Sequence, residues 1–463
     1  MITLRDYQDI GVDAIRQAFA YGAKAVLYVL STGGGKTPVF AYIAQRAAAL
    51  GTRTCICVHR RELLHQASAS LTELGVPHGI IAPGRPVTPQ TIQVASIQTL
   101  VRRHLDPVDL LVFDEGHHAV AGTWSKVLER HPGARVLGVT ATPCRLSGRG
   151  LAHVYDTLIQ GPHISDLIRR GFLVPAQVWA PSTVDLKGIR SRGGDFEREK
   201  LAELLDRSEI TGNAVDHYSR LVNGRPAIAF CASVAHAEHV ADQFRGAGYR
   251  AESVDGSLPQ GTRDDRIAAL GEGRLQVLTS SDLISEGVDI PIVAAGILLR
   301  PTKSTGLYLQ QVGRCLRPAP GKDRAIILDH VGNCFRHGLP DEDRPWSLEH
   351  GAPKRTPEES EVKVRQCPAC YLVHAWARSC PECGLIYPVE ARKQTAKEVE
   401  GELEPVTPEE RAVLEAAAST LNDWHYIARR SRTRDGRPYK SGWAWRKFEA
   451  QRASRRFKGA RVG

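Results

Sequence analysis

The sequence predicts an α/β protein in several parts: two tandem domains built on parallel sheets, a small four-cysteine module, and a basic, mainly helical C-terminal region. Three observations predict this. Short apolar runs alternate with helical patterns. The alternation stops at a polar stretch and then restarts. Four of the ten cysteines crowd together at positions 367, 370, 380 and 383. Alternating strands and helices read as parallel βαβ units, and 463 residues suit about three domains.

The elements follow in order. Residues 24–30 read as a buried strand, followed by a glycine-rich turn and a helix over 37–50. A strand at 54–58 and a helix at 61–74 come next, then apolar runs at 91–94, 110–113 and 136–139. Residues 1–165 are therefore the first domain. The polar, glycine-rich stretch around 183–207 places a linking segment at 166–210. Alternation resumes with strands at 227–231, 276–280, 295–299 and 325–329 and a helix at 235–246, which gives a second domain over 211–339. The proline-rich residues 340–362 read as a mobile connector. The cysteine module spans 363–390 and the basic, aromatic region 405–463, with helical character over 412–428 and another helix opening near 442.

Composition excludes several classes. An apolar fraction of 42% and a charged fraction of 24% rule out wholesale disorder. No run approaches the roughly 18 apolar residues of a membrane span, and the first residues lack a signal-peptide pattern. The expectation is a cytoplasmic protein with no membrane partner. Between 411 and 463 there are 14 Arg and Lys against four acids. That excess of ten equals the net charge of the whole chain, so a polyanion partner is expected at the tail.

Residues 31–37, Ser-Thr-Gly-Gly-Gly-Lys-Thr, lie between a strand and a helix. Glycines let backbone N–H groups wrap phosphate oxygens, Lys36 reaches the β- and γ-phosphates, and the Thr37 hydroxyl can hold Mg²⁺. The full spacing would put a glycine at position 30; Leu30 stands there, so this is a shortened form. After the apolar run at 110–113 come Asp114, Glu115, Gly116 and His117. Asp114 is the second Mg²⁺ ligand and Glu115 the group that orients and deprotonates water. In the second domain, Arg314 and Arg317 share a helical face and can act as arginine fingers on the phosphoryl transition state.

These residues, in this order, resemble the superfamily 2 helicases with a DExH box. Residues 4–8 look like an adenine-reading element, 32–37 like motif I, 59–66 like motif Ia, 96–100 like the SxQTL element, 114–117 like motif II and 140–143 like motif III. Residues 229–232 begin motif IV, 281–282 with 286–291 look like motif V, and 310–317 like motif VI. The resemblance implies two RecA-like domains with ATP between them. It assigns Arg5, Gln8, Thr32, Gly33, Gly34, Gly35, Lys36, Thr37, Gly287 and Asp289 to ATP binding. Lys36, Asp114, Glu115, His117, Gln310, Arg314 and Arg317 take catalysis. Arg60, Arg61, Ser96 and Thr99 would contact strand phosphates without reading bases, while Thr140 and Thr142 couple His117 to that surface. Gly116 departs from the family's usual alanine, a change of small for small. Within the superfamily the layout is most similar to RadD-like bacterial DNA repair helicases and their phage-encoded relatives.

Cys367, Cys370, Cys380 and Cys383 form two Cys-Pro-x-Cys knuckles nine residues apart. Four thiolates from two tight turns make a closed, structural Zn²⁺ site; a rubredoxin-like iron site or a redox pair are the alternatives. In the tail, Trp424, Tyr426, Tyr439, Trp443, Trp445, Phe448 and Phe457 stand among the basic residues. They could stack on bases, or Trp443, Trp445 and Phe448 could form a small core. The reading is an ATP-dependent DNA helicase or translocase with Mg²⁺ and Zn²⁺. Its partners would be single-stranded or forked nucleic acid, DNA before RNA, and repair or replication proteins. An RNA helicase, or an ATP-switched binding factor without strand separation, stands as the alternative.

Overall fold

A computed structural model describes residues 2–103, 105–119, 122–144, 150–180, 191–192, 195–196, 214–281, 284, 289–349, 364–388, 408–431, 437, 439–440 and 442–459. The chain separates into two compact units, 1–387 and 388–463.

The first unit holds two large sheets and one two-stranded pair. Strands β1 (Ala25–Val29), β2 (Thr54–Val58), β3 (Gly79–Ile81), β4 (Ile92–Ser96), β5 (Leu110–Asp114), β6 (Arg135–Thr140) and β7 (Thr157–Gln160) lie in the order β3-β4-β2-β5-β6-β1-β7. Every neighbouring pair is parallel. Strands β1, β2, β4 and β5 are buried along their whole length, as expected where helices cover both faces of a parallel sheet. The helices are α1 (Asp6–Ala20), α2 (Lys36–Ala49), α3 (Arg61–Glu73), α4 (Ile97–Leu100), α5 (Gly122–Arg130) and α6 (Ile164–Arg169). Helix α1 turns Tyr7, Gln8, Gly11, Ile15 and Phe19 inward. It approaches β1 closely because Gly11 faces the Tyr28 ring: a Cβ there would lie 2.4 Å from the Tyr28 hydroxyl.

The second sheet contains β8 (Ala176–Trp179), β11 (Ala227–Phe230), β12 (Ala251–Ser253), β13 (Val277–Ser280), β14 (Ala295–Leu298), β15 (Ala325–Asp329), β16 (Val364–Gln366) and β17 (Leu372–Ala375), in the order β12-β13-β11-β14-β15-β8-β17-β16. A two-residue pair, β9 (Ser191–Arg192) and β10 (Asp195–Phe196), stands apart from it. The helices are α7 (Val234–Gly246), α8 (Gln260–Gly271), α9 (Thr305–Cys315) and α10 (Asn333–His337). Six strands are parallel; β17 and β16 join them antiparallel.

Two expectations change here. The stretch 166–210, read as a linker, supplies β8, a strand inside the second sheet. Four residues between Pro175 and a polar stretch were too short a signal to read as a strand. The described part of the connector, 340–349, is docked rather than mobile. The carbonyl of Leu348 accepts from the N–H of Leu151 (2.6 Å) and of Ala152 (3.1 Å). Trp346 and Leu348 pack against the first domain's core, and the Arg344 guanidinium donates to the carbonyls of His337, Leu339 and Glu342. The connector's charges masked these anchors in the sequence.

The second unit contains α11 (Pro408–Ala417), α12 (Leu421–Arg430) and α13 (Gly442–Gly459). The helical pattern over 412–428 is broken at Thr420, which caps α12: its side chain accepts from Asp423 N–H, and Asp423 accepts from Thr420 N–H at 2.7 Å. Ala418, Trp424, Ile427 and Ala444 form a small core, with Trp443 and Phe448 partly buried against it. Tyr426 and Trp445 stay about half exposed. Among the described residues, no helix is long and apolar enough to cross a membrane.

Candidate active site and metal centre

The glycine-rich turn leaves β1 and ends at Lys36, the first residue of α2. Gly33 and Gly35 take φ values of 87° and 83°, open to glycine and costly for other residues. Helix α1 holds the turn from behind. The Tyr7 hydroxyl donates to the Gly34 carbonyl at 2.8 Å, and the Gln8 amide donates to the carbonyls of Gly34 and Gly35, each at 3.1 Å. In a trans peptide the N–H points opposite to its carbonyl. Fixing these two carbonyls therefore turns the N–H groups of Gly35 and Lys36 the other way, as a phosphate cradle needs. The Gln8 side-chain oxygen also accepts from Arg5 N–H at 2.9 Å. Gln8 thus spends its amide on the turn in this state, and an adenine would have to share it. Beside it, Arg5 lies 4.5 Å over the Phe172 ring, and Tyr7 meets the same ring edge-on at 5.2 Å.

Asp114 ends β5, and Glu115 follows at φ 52° in the left-handed region. Lys36 Nζ donates to Glu115 Oε1 at 2.6 Å, with both side chains largely buried. The Thr140 hydroxyl lies 3.2 Å from Glu115 Oε2 and 2.9 Å from His117 Nδ1, which is itself 3.4 Å from Glu115 Oε2. Thr142 N–H donates to the same hydroxyl at 3.2 Å. Asp114 is nearly covered. Its pKa is raised to about 6: burial raises it most, Lys36 opposes the rise and Glu115 adds to it.

The second domain closes over the turn. A Cβ on Gly313, in α9, would lie 2.6 Å from Thr32 Cβ, so this glycine lets α9 sit directly on the P-loop. A Cβ on Gly33 would come within 3.4 Å of Arg317 Cδ and Nε, and Arg317 pairs with Asp289 at 2.8 Å. Gln310 is buried on the same helix. Gly306, near its start, abuts Thr142. Lys36, Asp114, Glu115, His117, Thr140, Thr142, Thr32, Asp289 and Arg317 are thus gathered in one cleft, with Arg314 on the same helix as Gln310. Gly287 lies outside the described residues. Of the strand-contact candidates, Arg61 is exposed and Arg60 half-buried at the start of α3. Ser96 and Thr99 are buried, the Ser96 hydroxyl donating to Gln98 at 2.8 Å.

Tyr155 had no motif to announce it. Its ring is buried and its hydroxyl donates to the Gly116 carbonyl at 2.8 Å. A Cβ on Gly116 would lie 2.8 Å from both that hydroxyl and Gly138 Cα; a Cβ on Gly138 would lie 2.3 Å from the hydroxyl. Glycine at 116 is therefore a steric requirement here, not the neutral change that its size suggested. The signal available in the sequence was the pair of glycines at 116 and 138.

The cysteine hairpin is built on β16 and β17, and β17 pairs with β8 through Leu372↔Trp179 and Val373↔Val178. Its two knuckles repeat one bonding pattern. Cys367 N–H donates to Leu372 O and Tyr371 N–H to Cys367 O; Cys380 N–H donates to Leu385 O and Gly384 N–H to Cys380 O. The four Sγ atoms lie within 4.8 Å of one another, with closest pairs of 3.5 and 3.6 Å. A tetrahedral zinc with ~2.3 Å Zn–S bonds needs sulfurs about 3.8 Å apart, so the donor set fits.

Known proteins resemble this chain across both sheet domains. Residues 1–145 match the family model described as type III restriction enzyme, res subunit, and residues 212–319 match the helicase conserved C-terminal domain. A 51.5 kDa protein of a Lactococcus phage is 32% identical over 427 residues, covering 89% of this chain and 92% of the phage protein. The putative ATP-dependent helicase IRC3 of Saccharomyces cerevisiae is 30% identical over 356 residues, 71% of this chain; the chain spans about half (51%) of that relative. Among solved structures, a putative HsdR subunit of a type I restriction enzyme from Vibrio vulnificus superposes with a TM-score of 0.57 at 22% identity, over 72% of this chain and 65% of that one. The chain belongs to the superfamily 2 helicases, ATP-dependent motors on nucleic acid, with two RecA-like parallel-sheet domains.

Proposed function

We propose that this protein hydrolyses ATP to move along single-stranded or forked DNA, in repair, recombination or replication. The observation that carries the reading is the arrangement around the P-loop: Lys36 is paired with Glu115 at 2.6 Å while Arg317, from the second domain, lies over Gly33. Lys36 and Glu115 satisfy one another, as do Arg317 and Asp289. Phosphate oxygens compete for Lys36 and so release Glu115 Oε1, which then orients and deprotonates water. Thr140 keeps a hold on Oε2. Arg317 leaves Asp289 to face the γ-phosphate; it lies just past the end of α9, so it does not share a helical face with Arg314, which stands in the last turn of that helix. Thr37 and Asp114 would hold Mg²⁺, whose charge neutralises the phosphates. Gln8, with Arg5, takes the adenine end, and Gly287 and Asp289 lie toward the ribose. Arg60 and Arg61 track strand phosphates, with Ser96 and Thr99 beside them. Cys367, Cys370, Cys380 and Cys383 hold a structural Zn²⁺.

Among solved structures that share the fold, a restriction-modification enzyme, LlaBIII, is bound to DNA (TM-score 0.55, 18% identical), and DNA is the substrate proposed here. The second reading, RNA, draws on 30% identity over 188 residues with the ATP-dependent RNA helicase SrmB of Escherichia coli. The test is ATP turnover with single-stranded DNA, duplex DNA or RNA, in unaltered protein and in Lys36→Ala and Glu115→Gln. DNA should stimulate best. Lys36→Ala should lose turnover and ATP affinity, and Glu115→Gln should lose turnover while keeping ATP bound. Preferential stimulation by RNA would move the substrate to the second reading. Turnover in Glu115→Gln equal to that of unaltered protein would remove Glu115 from the chemistry.

A further inference from the structure

His59 is the first residue past β2, immediately before Arg60, and β2 is the strand beside β5, which ends at Asp114. That adjacency brings three imidazoles into a row. The rings of His59 and His118 lie 4.5 Å apart, and those of His118 and His117 lie 4.1 Å apart. At one end of the row, Gln98 of the SxQTL element donates to the His59 carbonyl at 2.9 Å, and Gln98 itself accepts from the Ser96 hydroxyl. At the other end, His117 meets Thr140 at 2.9 Å and Glu115 at 3.4 Å. The row is continuous from the residues expected to grip a strand to the carboxylate expected to activate water. His118 is its middle member, and its backbone N–H donates to the Glu115 carbonyl at 2.9 Å.

We propose that His118 is a positioning residue that couples strand engagement to Glu115, through its stack between His59 and His117. The proposal rests on the reading of the protein as a strand-stimulated ATPase. Packed rings move together because a gap between them forfeits their contacts. A strand phosphate drawn to Arg60 and Arg61 displaces the neighbouring His59. His118 carries the displacement to His117, and His117 shifts the carboxylate away from Lys36. The element with two arrangements is Glu115: paired with Lys36 at 2.6 Å as here, or released toward water. Coupling of this kind is reciprocal, so nucleotide must alter strand affinity through the same row.

The experiment measures ATP turnover with and without a saturating single-stranded DNA oligonucleotide, and oligonucleotide affinity with and without a non-hydrolysable ATP analogue. Unaltered protein, His118→Ala and His118→Phe are compared. In His118→Ala, basal turnover and nucleotide-free strand affinity should stay within about twofold. Stimulation should fall at least tenfold, and the analogue should no longer change strand affinity. His118→Phe restores a flat ring and should recover more than half of the stimulation. If His118→Ala melts early, His59→Leu provides the second break in the row and should lose stimulation in the same way. Full stimulation in both broken variants overturns the proposal. So does an equal loss of basal and stimulated turnover, or a His118→Phe variant as uncoupled as His118→Ala. Unaltered protein that no strand stimulates would instead refute the motor reading on which the proposal rests.

Discussion

At the scale of single residues, the loop after β5 is held in a conformation that it would not choose. Glu115 has φ 52°, and a non-glycine residue there costs of order 1–3 kcal/mol and persists only where its surroundings impose it. Tyr155 is part of what imposes it, through its bond to the Gly116 carbonyl. Tyr155→Phe keeps the ring and removes that bond; turnover should fall about tenfold while nucleotide affinity changes little, checked by steady-state kinetics beside a binding titration. Gly116→Ala, despite restoring the residue usual in the family, should cost roughly 1–3 kcal/mol in denaturant melts, because the methyl meets backbone as well as the tyrosine. Asp114 carries a different cost. Its raised pKa means that the folded chain binds this proton more tightly than the unfolded chain. Its contribution to stability is therefore complete below the unfolded pKa of about 4 and is lost as pH rises through about 6. Asp114→Asn stays neutral, so in Mg²⁺-free buffer its melting temperature should exceed that of unaltered protein by a margin growing from pH 5 to pH 7.5, roughly 2–6 °C at the top. A margin constant with pH would mean that the carboxylate ionises freely. Lys36, Asp114 and Glu115 were legible in the sequence because their chemistry demands fixed residue types at fixed spacings. Tyr155 was not, because it acts on a carbonyl and backbone carries no signature.

At the scale of elements, α9 is the arm by which the second domain reaches the first. Glycines at 306 and 313 remove the bulk that would hold it off Thr142 and Thr32, and Arg317 then lies over the P-loop. Arg317→Ala should lower turnover by about 10³-fold with little effect on nucleotide binding. A loss below tenfold would show that the Asp289 pair, rather than the phosphate, is this side chain's main partner. The strands of both sheets were legible wherever both faces are buried, since such strands read as unbroken apolar runs. Strand β8 escaped because AQVW is four residues long, carries a glutamine and sits far in sequence from the strands it joins. Its pairing with β15 is a tertiary fact, invisible to local pattern. The pair β9–β10 belongs with it: the Asp195 carboxylate accepts from the Thr302 hydroxyl at 2.9 Å and from Lys303 N–H at 2.8 Å, pinning a stretch that reads as loose polar linker.

At the scale of the whole molecule, the net charge sits in residues 411–463, the later part of the second unit. The tail holds the excess of ten positive charges, yet its aromatic residues are split in use. Trp424, Trp443 and Phe448 make the small core, while Tyr426 and Trp445 remain outside it. The small-core reading therefore holds for Trp443 and Phe448 and fails for Trp445, which is about half exposed; base stacking by the exposed pair is a proposal. If the exposed pair and the arginines bind strand, removing residues 406–463 should flatten the slope of log K against log[salt], by nearly one unit per lost phosphate contact, and leave basal turnover intact. An unchanged slope would reduce the tail to a structural appendage.

The cysteine hairpin also determines where the second sheet stops. Without β17, the outermost strand would be β8, whose backbone N–H and C=O groups would face water unpaired beside Trp179. Such a margin is a template for pairing with another chain. The hairpin covers it and ends instead in the three residues of β16, and a zinc held by the four cysteines would keep that cover in place. Chelation should therefore produce a protein that clumps before it unfolds. Light scattering should rise with protein concentration at temperatures where circular dichroism still reports both sheets, and the chains left in solution should still hydrolyse ATP. On this view, a metal held there would chiefly secure solubility.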